Sequence, residues 1–151
     1  MLKSIEEARE YFNRAAKTCQ PGSVILYHNQ RKTVMSLLKE AAQASGKVLI
    51  EKDLTLLANE KIGTSMFENK IPKWIEGVYN PANKNGTIFY MREFHYASDS
   101  VKNDAMNVII NMEVEGQKFP PNTLVILGVL DTDDMTASIN KAHNVMFYRE
   151  I

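Results

Sequence analysis

Two dipeptides place charged side chains just beyond apolar runs, where they could do chemistry at a strand end. Lys32-Thr33 follows Val24-Ile25-Leu26-Tyr27 after a short polar stretch, and Arg92-Glu93 directly follows Ile88-Phe89-Tyr90-Met91. A lysine ammonium beside a hydroxyl is suited to a phosphate and its magnesium ion, while arginine and lysine together hold polyphosphate without a metal. Arg31, Lys32 and Arg92 are the residues for such a metal-free clamp. The plainer reading is that Lys32-Thr33 opens an amphipathic helix and that Arg92 and Glu93 are surface charges. Three histidines, His28, His95 and His143, fall in polar stretches expected at one sheet edge, and with Glu93 they offer zinc or manganese donors. None has the His-x-x-x-His spacing that puts two ligands on one helix face, so ordinary loop histidines are expected and no metal.

The elements that must position these groups follow from the apolar spacing. Ser4 with Glu7 makes a capping box, and Ile5, Ala8, Phe12, Ala15 and Ala16 recur at helical intervals until Pro21-Gly22. Val24 to Tyr27 is a continuous apolar run of buried-strand type, followed by a polar loop His28 to Lys32. A helix with Val34, Leu37, Leu38 and Ala41 on one face ends at Gly46, and Val48 to Ile50 is a second short strand. Between Asp53 and Asn85 the spacing predicts a short helix around Leu54 to Asn59, then an irregular segment with Pro72, Trp74 and Pro81.

Regular order resumes with a strand over Ile88 to Met91 and a helix capped by Ser98 or Asp99, with Val101, Ala105, Val108, Ile109 and Met112 on one face. Gly116 and Pro120-Pro121 bound a connector before a strand over Thr123 to Gly128. A short helix over Thr136 to Ala142 and a last strand over Val145 to Tyr148 complete the chain. Alternating strands and helices predict an α/β fold: a mainly parallel sheet of about five strands flanked by helices, with ligands beyond the carboxyl ends of the strands. One domain is expected over residues 1–151, with an N-terminal helix over 1–20 and a core over 21–151.

Composition narrows the function classes. At 151 residues, 44% hydrophobic and 24% charged, the chain has enough apolar surface for one core. Zero formal net charge argues against nucleic acid as a partner. Cys19 is the only cysteine, which excludes an internal disulfide and points to a reducing compartment. Glu6, Glu7 and Glu10 stand where a signal peptide would be apolar, and Leu124 to Leu130 is too short to span a bilayer, so a cytoplasmic protein without a membrane partner is expected.

Two longer stretches carry a family resemblance. One is Gly86-Thr87-Ile88-Phe89-Tyr90-Met91-Arg92-Glu93, continuing into Ser98-Asp99-Ser100-Val101; the other is Val114-Glu115-Gly116-Gln117-Lys118-Phe119-Pro120-Pro121-Asn122-Thr123 through Gly128. With the order of elements, they resemble the core of an AAA+ ATPase, closest to the MoxR, McrB and midasin-like branch, over about Pro21 to Ile151. The resemblance implies a P-loop αβα sandwich with a phosphate loop at Tyr27-His28-Asn29-Gln30-Arg31-Lys32-Thr33, where Lys32 and Thr33 match the motif but every glycine is gone. It implies a magnesium-side Asp where Arg92 stands, and a water-polarising Glu at Glu93.

Further departures follow the same pattern. The polar sensor falls near Val129-Leu130, and the arginine finger falls between His143 and Phe147, where no arginine occurs; Arg149 lies just beyond. The chain ends at Ile151, where the family continues into a helical lid, so a lidless core is expected. The implied protein is a pseudo-ATPase with no cofactor and no catalysis, an adaptor, cap or inhibitor whose partner is an AAA+ ATPase, a related complex or a second copy of itself. Two alternatives stand beside it: a nucleotide-binding regulator without hydrolysis, at a degenerate site of His28, Arg31, Lys32, Thr33, Arg92 and Glu93, and a structural or assembly protein of a phage or mobile element. Trp74, Met66 and Phe67, near Ile71 and Ile75, are the residues for a protein-binding anchor; the competing reading packs them on the sheet.

Overall fold

The computed structural model describes residues 1–57, 74–130 and 144–149. Its first helix, α1 (Ile5–Thr18), opens where the Ser4 hydroxyl accepts from the Glu7 N–H at 3.2 Å. It closes at Cys19 in the left-handed region. Strand β1 (Ser23–His28) leads into α2 (Arg31–Ser45), which ends at Gly46 with φ +72°, a conformation glycine adopts without penalty. Strand β2 (Val48–Asp53) runs into a single 3₁₀ turn, Leu54–Leu57; another 3₁₀ turn at Glu76–Tyr79 precedes β3 (Thr87–Arg92). A third such turn, Phe94–Tyr96, joins β3 to α3 (Asp99–Asn111), whose cap is Ser98 rather than Asp99. A two-strand hairpin, β4 (Glu113–Val114) and β5 (Gln117–Lys118), precedes β6 (Thr123–Leu130), and β7 (Val145–Tyr148) is the last strand.

The five long strands form one all-parallel sheet in the order β2-β3-β6-β1-β7. This is an α/β sandwich consistent with a P-loop-like fold. The chain leaves β1 for the far edge strand β2 and then works back across the sheet. Right-handed crossovers running in opposite directions must cover opposite faces, and they do. Val24, Leu26, Ile88, Tyr90, Leu124 and Ile126 pack under α1 and α2, on Ala8, Phe12, Ala15, Leu37 and Leu38. Ile25, Tyr27, Phe89, Met91, Val125 and Leu127 pack under α3 and the 74–79 segment. Every central strand is therefore apolar on both sides, which is why these runs show no alternation. Among the described residues no helix is long and apolar enough to cross a membrane.

The structure redraws three sequence boundaries. The expected loop His28 to Lys32 shrinks to Asn29 and Gln30, because His28 is the buried last residue of β1 and Arg31 already belongs to α2. The expected strand Val48 to Ile50 extends through Glu51, Lys52 and Asp53, which pair in register with Tyr90, Met91 and Arg92. An edge strand tolerates this charge because one long side remains open to solvent. Where a helix was expected around Leu54 to Asn59, the chain makes one 3₁₀ turn over Leu54–Leu57; residues 58 and 59, and the helix expected over Thr136 to Ala142, lie outside the described residues.

Candidate functional site

The helix after β1 covers one face of the sheet and the helix after β3 covers the other. Ligands of open parallel sheets bind beyond the strand ends, where such connections part. A cleft of about 420 Å³ lies there, lined by Arg31, Lys32, Met35, Ser36 and Lys39 of α2, by Tyr90 and Arg92 of β3, and by Glu93.

The two residues after the apolar β3 run are held mainly by different partners, with a longer contact of 3.8 Å between Arg92 Nη1 and Glu93 Oε1. Arg92 sits opposite Asp53 in the β2–β3 register, and its side chain bonds the Glu51 carboxylate through Nε and lies 3.4 Å from Asp53 Oδ2. Glu51 and Asp53 share one side of the strand because side chains alternate with a period of two. Asp53 is fixed in turn: its Oδ1 accepts from the Thr55 N–H at 2.9 Å and from the Thr55 hydroxyl at 2.6 Å. The bond to Glu51, then the charges of Asp53 and Glu93, hold the Arg92 pKa above its ordinary value.

Glu93 adopts φ 63°, unusual for a residue with a Cβ, and its carboxylate accepts both arms of the Arg31 fork at 2.7 and 3.1 Å. This bidentate pair ties the end of β3 to the first turn of α2. The carboxylate side chain is only 12% exposed, while Arg31 is half exposed, so the inner partner is the one fully engaged.

Beneath the cleft, His28 fills the end of β1. Its Nδ1 accepts from the Gln30 N–H at 3.2 Å, which places the ring proton on Nε2, facing the Tyr90 hydroxyl at 3.4 Å. Tyr90 fits only because Gly128 lies beside it on β6: a Cβ there would stand 2.8 Å from the hydroxyl oxygen. Burial pushes the Tyr90 pKa well up, so the phenol stays neutral.

The sequence brought six residues forward as a degenerate nucleotide site, and the fold separates them. Arg31, Lys32, Arg92 and Glu93 meet in the cleft, and His28 lies below it, behind Tyr90. Thr33 turns away into a groove between α1 and α2 with Ile5, Arg9 and Glu40. Spacing alone does not show that Lys32 lines the cleft as well as this groove, while Thr33, adjacent in the chain, lines the groove and not the cleft. Consecutive residues of a helix lie about 100° apart, which is the reason.

Histidines and aromatics are also apart. His95 accepts from the Leu130 N–H at 3.3 Å through Nδ1, leaving Nε2 buried without a partner among the described residues, and burial lowers its pKa. Among the described residues no group of three His, Cys, Asp or Glu side chains is arranged to hold a metal; His143 lies outside them. Trp74 is only 5% exposed and packs on Phe89 with ring centres 5.5 Å apart, in the core rather than on a docking surface. Met66, Phe67 and Ile71 lie outside the described residues. At the expected sensor, Val129 is buried and the Leu130 backbone is held by His95. Arg149 spreads over the Phe147 ring at 5.8 Å.

Glu51, Asp53, Lys39, Tyr90 and Gly128 shape this site and were not singled out from the sequence. Only Glu51 and Asp53 left a signal, two carboxylates at strand alternation after an apolar run. No protein-family model matches the chain, and no curated protein matches its sequence.

Proposed function

We propose that this chain is a catalytically inactive AAA+-like domain that acts through protein contacts, as an adaptor, cap or inhibitor of an AAA+ or related complex. The observation that carries the reading is the occupancy of the strand-end charges. Where a phosphoryl-transfer site needs a carboxylate for magnesium, Arg92 presents a cation already bound to Glu51 and Asp53. Where it needs a carboxylate to polarise water, Glu93 is chelated by Arg31. The two-residue turn Asn29-Gln30 supports the same reading, since a phosphate cradle needs several successive backbone N–H groups curving around the anion.

A nucleotide-binding regulator is the second reading, favoured by the four cations Arg31, Lys32, Lys39 and Arg92 around one cleft. Against it, both guanidinium groups are already engaged with internal carboxylates, and a polyphosphate would have to displace them. The melting temperature with and without millimolar ATP, in magnesium and in chelator, separates the two. Inert to nucleotide, the domain melts at one temperature in all conditions. A site with a dissociation constant of about 10 μM would add about 2.7 kcal/mol at hundredfold excess, a rise of about 5 to 10 °C at this chain length. A magnesium-dependent rise, or ATP turnover abolished by Glu93→Gln, refutes the proposal.

A further inference from the structure

We infer that the cleft between α2 and the end of β3 receives an acidic segment of a partner protein, whose carboxylates pair with Lys32 and Lys39. The inference rests on the reading that this domain works through protein contacts, and it names the chemistry of the surface used.

The argument starts from which charges are spent. Arg31 is committed to Glu93, and Arg92 to Glu51 and Asp53. Glu40, next to Lys39, is turned to Arg9 of α1 at 2.9 Å and does not neutralise its neighbour. Lys32 and Lys39 are the lining cations that carry no ion pair among the described residues, and both are exposed. The cleft therefore presents two unmatched ammonium groups beside a rim that is already neutralised.

Spacing selects the occupant. Lys32 and Lys39 lie seven positions apart on α2, which is two turns, on one face and about 10 Å apart along the axis. A peptide segment with carboxylates about two helical turns apart matches that spacing and meets both. Phosphate prefers unengaged arginine forks, and both arginines of the cleft are already held by internal carboxylates. Between the lysines the cleft floor is the half-buried Met35 and the Tyr90 ring, so an apolar residue between the two carboxylates of the partner has a surface to cover. The Arg31–Glu93 fork keeps the rim rigid, which lowers the ordering cost of docking.

The test uses the full chain and a labelled, capped helical peptide carrying two glutamates seven positions apart with leucine between them, followed by fluorescence anisotropy at low salt. Saturable binding is expected, weakened about tenfold or more by the double change Lys32→Gln and Lys39→Gln, and weakened again as salt shortens the screening length. Both lysines are exposed and carry no ion pair among the described residues, so the variant keeps its parent's melting temperature. The double change Lys17→Gln and Lys84→Gln removes equal charge from exposed positions elsewhere and should leave binding intact. An absence of binding overturns the inference, as does equal weakening by the two double variants. Tripolyphosphate displacing the peptide and binding more tightly through Lys32 and Lys39 also overturns it, making the cleft a phosphate site. ATP turnover would overturn the underlying reading instead, so the two failures are distinguishable.

Discussion

Replacing Arg92 by Met keeps much of the apolar stem and deletes the cation, which isolates what that charge contributes at the sheet edge. Arg92 lies 3.4 Å from Asp53 Oδ2 and bonds Glu51, with side chains 34%, 17% and 31% exposed. At 3.4 Å a unit pair is worth about 1.2 kcal/mol at the dielectric of water and about 5 kcal/mol at an effective value near 20. Partial exposure puts the site nearer the first figure, and desolvating and immobilising the guanidinium offset part of it. Arg92→Met should therefore cost about 1 to 2 kcal/mol, a fall of roughly 3 to 6 °C in melting temperature at low salt. At 1 M salt the screening length drops to about 3 Å, so the loss should shrink to less than half. In a background of Glu51→Gln and Asp53→Asn the same change should cost little, which a double-mutant cycle on urea midpoints reads directly. If Arg92→Met melts with its parent at low salt, or costs the same in high salt and in the neutral background, the ion-pair account of this strand end is wrong and the residue acts through packing alone.

Gly128→Ala should cost about 1 to 3 kcal/mol in chemical denaturation, because the new methyl would stand 2.8 Å from the Tyr90 hydroxyl oxygen and 2.9 Å from its ring in a filled core; an unchanged midpoint refutes the close approach. His95 gives a pH dependence whose sign follows from its lowered pKa. Burial is the first cause of that shift, Glu93 raises the value, and Arg31 and Lys102 lower it. The folded-state pKa thus lies below the ordinary 6.5, and the unfolded chain takes up a proton that the folded chain resists. Its contribution is complete above about pH 6.5 and declines as pH falls below that value toward the folded pKa. Between about pH 7.5 and about pH 5.5 the parent should lose more stability than His95→Asn, which retains an acceptor for the Leu130 N–H; equal losses refute the assignment.

Local rules read much of the fold from the sequence. Ser4 with Glu7, the helix end at Gly46 and the apolar runs Val24 to Tyr27, Ile88 to Met91 and Thr123 to Gly128 fell where expected, because caps and continuous burial act within a few residues. The strand through Glu51 to Asp53 did not, because its charges are acceptable only at an edge, and the sequence does not reveal which strand lies there. The partition of the candidate site was hidden for a related reason. Lys32 and Thr33 are neighbours in the chain, but the facing of α2 lets Lys32 line both the cleft and the groove beside α1, while Thr33 lines the groove and not the cleft.

What the sequence determined by itself was the order of the long strands and helices among the described residues, the parallel α/β class, and the presence of an arginine and a glutamate at one strand end. What only the tertiary structure decided was which charges meet. Arg92 finds Glu51 across 41 residues, and Arg31 finds Glu93 across 62. Those separations are closed by the order β2-β3-β6-β1-β7, which puts β2 against β3 and brings α2 over the end of β3. Strand order is a property of non-local pairing, set when apolar faces from distant segments are buried together. Propensity and spacing act over one or two turns and carry no information at that range.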